Sequence, residues 1–248
     1  MNLTIITVSK SFSVDLINTI ESVNLQNVIP YEHIVIVSII TKSEIDFLLN
    51  NYSINYRIYI FNKDNSIYNA MNLGVRNATG NYIYFLNSGD VFFNNSTLMQ
   101  IFTHYSFFPN QILIFQTLQV YKNLNFLRYP KKNMHKLSIS PAHQGFIAPY
   151  NPSKIELYLY NESNFISADS EWMRKLLSIY QHSIIELILC KFYLGGISNY
   201  PTLKTIKIKN NTNKYYFEIF KYFFRLLVGT KLYYITMSSL NGYKRTDI

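Results

Sequence analysis

The stretch from residue 64 to residue 90 constrains the fold of this chain more than any other. It contains a polar loop, a short amphipathic helix, a glycine break and the apolar run Tyr82–Leu86, and it ends on the turn Asn87-Ser-Gly-Asp. A continuous apolar run of this length is typical of a central strand in a parallel sheet that is covered on both faces. Ligands of open α/β sheets bind beyond the carboxyl ends of such strands. The pattern therefore predicts that Asp90 presents a carboxylate at a binding site.

Strands and helices alternate along the first half of the chain. Strands are predicted over 3–8, 33–37, 56–61 and 81–86, and helices over 14–25, 44–50, 66–77 and 97–105. This alternation indicates βαβ units and a parallel sheet. A further strand is predicted over 112–121 and a further helix over 168–179. We therefore expect an α/β fold, in which helices flank a mostly parallel, Rossmann-like sheet, followed by a helical tail.

The composition is that of a folded protein with a sizeable core. Of the 248 residues, 48% are hydrophobic and only 15% are charged, which argues against disorder. The one cysteine, Cys190, excludes an internal disulfide and fits a reducing compartment. The N-terminus does not resemble a signal peptide, and no run approaches the roughly 20 apolar residues of a membrane span. We expect a cytoplasmic or peripheral protein with one domain over 1–200 and a tail over 201–248.

Four short motifs follow one another along residues 1–200. They are Asp64-Asn-Ser-Ile-Tyr-Asn-Ala-Met-Asn, Leu86-Asn-Ser-Gly-Asp, Pro141-Ala-His-Gln and Ser167-Ala-Asp-Ser-Glu-Trp. In this order they resemble the family 2 glycosyltransferases of bacterial polysaccharide synthesis, which have the GT-A fold. The resemblance implies inverting transfer of a hexose or N-acetylhexosamine from a nucleotide sugar, with UDP as the expected nucleotide. The implied acceptor is a polyprenyl-diphosphate-linked sugar in O-antigen or capsule synthesis.

The resemblance also implies roles for individual side chains. Asp90 would be the metal ligand, for Mn²⁺ or Mg²⁺, since these cations prefer oxygen ligands. Asp169 would be the general base, which must lie within hydrogen-bond reach of the acceptor hydroxyl. The implied substrate-binding residues are Asp64, Asn87, His143, Gln144 and Trp172.

Most of these positions also have a structural interpretation. Asp90 could cap the turn that follows its strand, and Asp64 and Asp169 could cap helices, because acids are favoured at helix N-termini. His143 could be a hydrogen-bonded loop histidine and Trp172 a core aromatic residue. Glu171 is a weaker alternative for the general base.

The chain departs from the family pattern at two places. Gly89 stands where relatives carry the acid that precedes Asp90. The stretch Val37–Lys42 lacks the acid that holds uracil in relatives. These departures keep a second hypothesis open, in which the chain is a membrane-associated subunit that binds a sugar nucleotide without catalysis.

The tail carries most of the positive charge. Residues 201–248 contain nine Lys or Arg and two acidic residues, a net charge of +7 out of +9 for the chain. Lys214, Glu218, Lys221 and Arg225 share one stripe of a predicted helix, whose remaining residues are apolar and aromatic. This pattern favours binding to an anionic surface at the inner face of the cytoplasmic membrane, and packing against the chain's own domain is the alternative. No nucleic-acid motif is found, so nucleic acid is not an expected partner.

Overall fold

The chain divides into two compact units. The computed structural model describes residues 1–52, 56–60, 67–107, 110–130, 141–163, 167–194, 203, 206 and 215–246. The first unit contains Met1–Thr117 and Tyr129–Lys191, and the second contains Leu118–Arg128 and Phe192–Ile248. The sequence did not indicate that residues 118–128 group with the tail.

The described residues form ten strands and six α-helices. The strands are β1 Leu3–Ser11, β2 Glu32–Ile39, β3 Tyr56–Ile60, β4 Tyr82–Phe85, β5 Val91–Phe92, β6 Ile112–Tyr121, β7 Leu124–Arg128, β8 Phe146–Pro149, β9 His182–Tyr193 and β10 Lys244–Thr246. The helices are α1 Val14–Asn24, α2 Lys42–Asn51, α3 Ile67–Asn77, α4 Thr97–Phe107, α5 Ala168–Leu177 and α6 Tyr215–Leu240. Two 3₁₀ segments, His143–Gly145 and Pro152–Tyr158, precede α5.

The sheet of the first unit has a parallel centre. Its strand order is β6-β8-β4-β1-β2-β3. Strands β4, β1, β2 and β3 are parallel to one another, whereas β8 runs antiparallel to both β4 and β6. Strand β5 pairs antiparallel with β9. The predicted α/β fold with a mostly parallel sheet is confirmed.

Local sequence signals start the first two helices. The Ser13 hydroxyl accepts a hydrogen bond from the Leu16 backbone N–H at 3.2 Å and so caps α1. Helix α2 begins with a capping box between Thr41 and Glu44. Both helices then bury apolar side chains against β2, in a cluster of Leu16, Ile20, Val35, Val37 and Leu48.

Strand β4 lies between two apolar clusters. Ile83 and Phe85 belong to one cluster, and Tyr82, Tyr84 and Leu86 belong to the other. Successive side chains of a strand point to opposite faces, so this division shows that both faces of β4 are covered. The apolar run therefore forms a central strand, as predicted. Cys190 is buried in the second cluster.

The second unit has a core of its own. Leu124 and Phe126 of β7 pack with Tyr233 and Tyr234 of α6. Helix α6 is interrupted at Gly229, whose φ of 76° and ψ of 160° are not helical. Strand β10 pairs antiparallel with β7. Among the residues that the structure describes, no helix combines the length and apolar character that a membrane crossing requires.

Candidate active site

The turn that carries Asp90 is fixed to the first helix. The Asp90 backbone N–H donates to the Asn87 carbonyl at 2.9 Å. The hydroxyl of Thr19, on α1, donates to the Asp90 carbonyl at 2.8 Å and accepts from the Gly89 N–H at 2.9 Å. One buried hydroxyl therefore holds Gly89 and Asp90, the last two residues of the turn, at the carboxyl edge of β4.

Gly89 meets a backbone requirement of this turn. Its φ is +95°, a conformation that residues with a side chain rarely adopt. Space is not the restriction, because the heavy atom nearest to an added Cβ is the Asp15 Cβ at 3.9 Å. An acid at position 89 would therefore be strained by its backbone in this turn.

Asp90 lies deep at the site, with 4% of its surface exposed. Burial, with a contribution from the Asp90 charge, raises the pKa of the Tyr84 hydroxyl and of the Cys190 thiol. Both groups donate to the Gln144 carbonyl, from Tyr84 at 2.9 Å and from Cys190 at 3.2 Å. Cys190 is therefore a neutral, hydrogen-bonded core thiol rather than a nucleophile.

Asn87 has an uncommitted side-chain oxygen in this turn. The Asn87 Oδ1 is buried and has no hydrogen-bond partner among the described residues. Gln144 is half-buried, and its backbone carbonyl accepts the bonds from Tyr84 and Cys190. Buried amide oxygens are normally hydrogen-bonded, so an unpaired one is a candidate ligand atom.

Asp169 lies in the first turn of α5, next to three ring side chains. Its Oδ1 accepts a hydrogen bond from the Ser170 N–H at 2.7 Å. Burial raises the pKa of the Tyr68 and Tyr160 hydroxyls, and the Asp169 charge raises both further. Burial lowers the pKa of His143, and the same carboxylate opposes that change. The Asp169 charge therefore acts on all three rings.

His143 is buried and hydrogen-bonded. Its Nε2 lies 2.7 Å from the Tyr160 hydroxyl, and its ring lies 5.3 Å from that of Phe85. A neutral imidazole fits this environment, because burial lowers the pKa of His143. His143 is therefore a hydrogen-bonded histidine, as its structural interpretation predicts. The charge of Asp169 also acts on it.

Trp172 is part of the core, with 2% of its surface exposed. Its ring stacks on Tyr160 at 5.1 Å with an interplanar angle of 13°. Its Nε1 donates to the Tyr158 carbonyl at 2.7 Å. Because the ring is covered, the structure favours the core interpretation of Trp172 over stacking on a sugar.

Helix α3 positions the segment that leads to α5. The Asn72 Nδ2 donates to the Tyr160 carbonyl at 3.0 Å, and the Tyr160 N–H donates to the Asn72 Oδ1 at 2.7 Å. The same Nδ2 lies 2.8 Å from the Glu162 carboxylate. Asn72 belongs to the motif that begins at Asp64 but had no predicted role, and Tyr160 was not predicted as a site residue. The available signal was the spacing of Tyr68 and Asn72, which places both on one face of the helix.

One side chain connects the two groups of predicted residues. Phe85, in the strand that leads to Asp90, contacts the rings of His143 at 5.3 Å and Trp172 at 5.7 Å. The Asp90 turn and the rings around Asp169 therefore belong to one continuous region of the first unit. Asp64 lies outside the described residues.

Comparison with solved structures gives the same fold. S. aureus TarS 1-349 matches with a TM-score of 0.62 and 16% identity, over 78% of this chain and 60% of that chain. The same fragment "in complex with UDP-GlcNAc" matches with a TM-score of 0.60 and 15% identity, over 80% and 60% of the two chains. Against the longer S. aureus TarS structure, this chain spans only 37% of the length, at 13% identity and a TM-score of 0.61.

Comparison of sequences identifies the family. No curated protein matches the chain. The profile described as "Glycosyl transferase family 2", however, matches residues 4–177. That range contains the Asp90 turn, His143, Asp169 and the ring cluster, and it covers well over half of the chain. The chain therefore belongs to glycosyl transferase family 2.

Proposed function

We propose that the chain is an inverting glycosyltransferase that uses a UDP-linked hexose or N-acetylhexosamine. Family membership supports transfer from a nucleotide sugar. The structural likeness to TarS, a protein seen in complex with UDP-GlcNAc, supports an N-acetylhexosamine as the first donor to test. The observation that carries the proposal is a pair of separate carboxylates in one region of the first unit. Asp90 follows the strand that contains Phe85, and the Phe85 ring contacts His143 and Trp172, near the start of the helix that carries Asp169.

In the proposed reaction Asp169 accepts the proton of an acceptor hydroxyl. The acceptor oxygen forms a bond to the anomeric carbon from the face opposite the nucleotide, while the bond from that carbon to the diphosphate oxygen breaks. The configuration inverts, and the proton stays on the Asp169 carboxylate. The base operates beside His143 and Tyr160, whose uncharged, hydrogen-bonded rings limit the access of water to it.

The Asp90 turn has the chemistry to hold a divalent cation. The Asp90 carboxylate and the unpaired Asn87 Oδ1 are oxygen ligands of the kind that Mg²⁺ and Mn²⁺ prefer. Among the described residues, no group of three or more His, Cys, Asp or Glu side chains could hold a metal ion. The donor set therefore fits a cation that takes its other ligands from the diphosphate and water. When bound, such a cation would stabilise charge on the leaving diphosphate.

A binding and turnover experiment tests the proposed activity. Thermal shift with UDP-GlcNAc, UDP-glucose and UDP-galactose, each with Mn²⁺ or with EDTA, identifies the donor, because a ligand of the native state raises its stability. Release of UDP with and without a polyprenyl-diphosphate-linked sugar then measures transfer. We expect stabilisation by one donor and acceptor-dependent release of UDP. Stabilisation without any release of UDP would favour the second hypothesis, a subunit that binds a sugar nucleotide without catalysis.

We further propose that the acceptor is lipid-linked and that α6 holds the enzyme at the inner face of the cytoplasmic membrane. Tyr216, Phe220, Phe223 and Leu227 are spaced by four, three and four residues, so they share one face of the helix. They are 59–86% exposed. A row of exposed aromatic and aliphatic side chains next to basic residues has the composition of a membrane-interface helix.

The charged side of α6 is turned inward. Glu218 is buried and forms an ion pair with Lys221 at 2.6 Å, and the Lys221 amine lies 5.0 Å from the centre of the Phe217 ring. Glu218 and Lys221 of the expected stripe are therefore largely internal, and Lys214 lies outside the described residues. In this proposal the apolar face supplies most of the membrane affinity, and the exposed Lys231, Lys244 and Arg245 add attraction to anionic lipid.

Vesicle flotation tests the membrane proposal. The variant Phe220→Ser/Phe223→Ser should lose binding to anionic vesicles. The control variant Leu49→Ser/Met99→Ser removes two exposed apolar side chains, one of α2 and one of α4. It should still bind to anionic vesicles. High salt should weaken binding only in part, because the apolar contribution is not screened. If the α6 variant instead changes the oligomeric state without changing flotation, the face binds a second copy and the membrane proposal fails.

A further inference from the structure

The start of helix α1 lies against the Asp90 turn. The Gly89 N–H donates to the Asp15 carbonyl at 3.3 Å and to the Thr19 hydroxyl at 2.9 Å. The Thr19 hydroxyl in turn donates to the Asp90 carbonyl at 2.8 Å. These bonds fix the backbone of Asp15 relative to the turn, although the two segments are far apart in sequence.

The lack of a side chain at residue 89 leaves space beside the turn, and Asp15 borders that space. Among the described residues, only Asp15 has atoms within 4 Å of a Cβ built on Gly89, its Cβ at 3.9 Å and its Cγ at 4.0 Å. The φ of +95° at Gly89 would strain any residue with a side chain. A carboxylate at this place therefore has to come from another segment to avoid that strain, and α1 provides one.

Asp15 and Asp90 differ in exposure. Asp15 is exposed in the first turn of α1, whereas only 4% of the surface of Asp90 is exposed. A Mg²⁺ ion at a phosphate site is usually bound by one or two carboxylates together with the substrate phosphates. A single carboxylate balances only part of the charge of a divalent cation. An exposed carboxylate beside the turn can balance more of that charge and can be reached from solvent.

We propose that Asp15 is a second carboxylate ligand of the divalent cation, which it binds together with Asp90. This inference rests on the proposed cation site of the Asp90 turn. Helix α1 then has two roles, because it holds the turn through Thr19 and the Asp15 carbonyl and also contributes a ligand. An acid in the first turn of a helix is favoured by the helix dipole as well, so the test has to measure the cation and not stability alone.

Binding of Mn²⁺ tests the inference without turnover. Electron paramagnetic resonance measures the Mn²⁺ that the protein binds, with and without UDP. We expect Asp15→Asn to weaken this binding about 10- to 100-fold, the range found when groups around a bound metal are removed. The matched control is Glu21→Gln, which removes the same charge from the same helix at a carboxylate that accepts a bond from the Tyr52 hydroxyl at 3.1 Å. It should bind Mn²⁺ like the wild type.

A spectroscopic measurement separates direct binding from a general effect of charge. With carbon-13 in the aspartate carboxyl groups, pulsed resonance of the bound Mn²⁺ should show one carboxyl coupling fewer in Asp15→Asn than in the wild type. Unchanged affinity in Asp15→Asn, equal losses in Asp15→Asn and Glu21→Gln, or identical couplings in Asp15→Asn and the wild type would overturn the inference and leave the cation on Asp90. If the wild type binds no Mn²⁺, the proposed cation site itself fails.

Discussion

The amino and carboxyl edges of the central sheet differ in how fully their buried polar groups are hydrogen-bonded. At the amino edge, Glu32 begins β2 and accepts hydrogen bonds from the Thr4 hydroxyl at 2.5 Å and from the Thr79 N–H at 2.5 Å. It also accepts a bond from the Gly80 N–H at 3.3 Å and forms an ion pair with Arg57. At the carboxyl edge, the Asn87 Oδ1 has no partner among the described residues.

The difference separates stability from function within one fold. A buried carboxylate with several donors is stabilised by them and has little capacity left for a ligand. A buried oxygen without a partner has lost its hydration and gained nothing from the protein, so it costs stability unless a ligand binds. The amino edge is therefore expected to control folding, and the carboxyl edge is expected to control chemistry.

The largest expected effect is at the carboxyl edge. Asp90→Ala should abolish transfer, by about 10³-fold or more, because it removes the carboxylate proposed to hold the cation. Circular dichroism and the thermal midpoint should stay close to those of the wild type. Asp46→Asn, an exposed aspartate of α2, is the control and should have full activity. Near wild-type turnover in EDTA would contradict both the cation and this role of Asp90.

The next effect concerns the base. Asp169→Asn should transfer roughly 10²–10⁴-fold more slowly, the usual contribution of a general base. Donor affinity, measured by calorimetry with UDP-GlcNAc, should be nearly unchanged. If donor affinity collapses while turnover at saturation survives, Asp169 is a binding or capping residue.

At the amino edge the expected loss is one of stability. Glu32→Ala should lower the free energy of unfolding by about 2–4 kcal/mol, because four hydrogen-bond donors of Thr4, Thr79 and Gly80 lose an acceptor. The ion pair adds little to this figure, since the Arg57 side chain is 40% exposed and solvent screens it. Urea unfolding measures the loss. The fraction that remains folded should keep the wild-type kcat, and a reduced kcat would break the division between the two edges.

The last effect is a pH dependence of stability. Burial lowers the pKa of His33 to about 3, from 6.5 in the unfolded chain. As the pH falls, His33 is protonated in the unfolded state before it is protonated in the folded state. The stability contributed by neutral His33 is therefore present above pH 6.5 and is lost as the pH falls towards 3. The slope is at most about 1.4 kcal/mol per pH unit. Urea unfolding between pH 7 and 4 should show a shallower decline for His33→Gln than for the wild type, and equal declines would contradict this assignment.

The sequence predicted the parallel strands well, because their signal is local. The apolar run Tyr82–Leu86 and the turn to Asp90 could be read directly, and β4 lies where that pattern placed it. Strand β8 was missed: its four residues have no distinct pattern, and its antiparallel place between β4 and β6 depends on tertiary pairing.

The surroundings of the site were harder to predict, because they depend on contacts between distant residues. Tyr160 lies in no motif, yet it contacts Asn72, which is 88 residues away in sequence. The inward orientation of Glu218 and Lys221 was also missed, because helical spacing defines a stripe but not the direction that the stripe faces.

The position of Phe85 has a consequence for how such an enzyme can diversify. Its ring contacts those of His143, Tyr160 and Trp172, all within 6 Å. A substitution at any one of these four rings leaves a void or a clash for the other three, on both sides of the site. We therefore expect sister enzymes with other sugar preferences to keep this set of rings together and to vary at positions around it. Lineages that change the set should replace several of its members jointly.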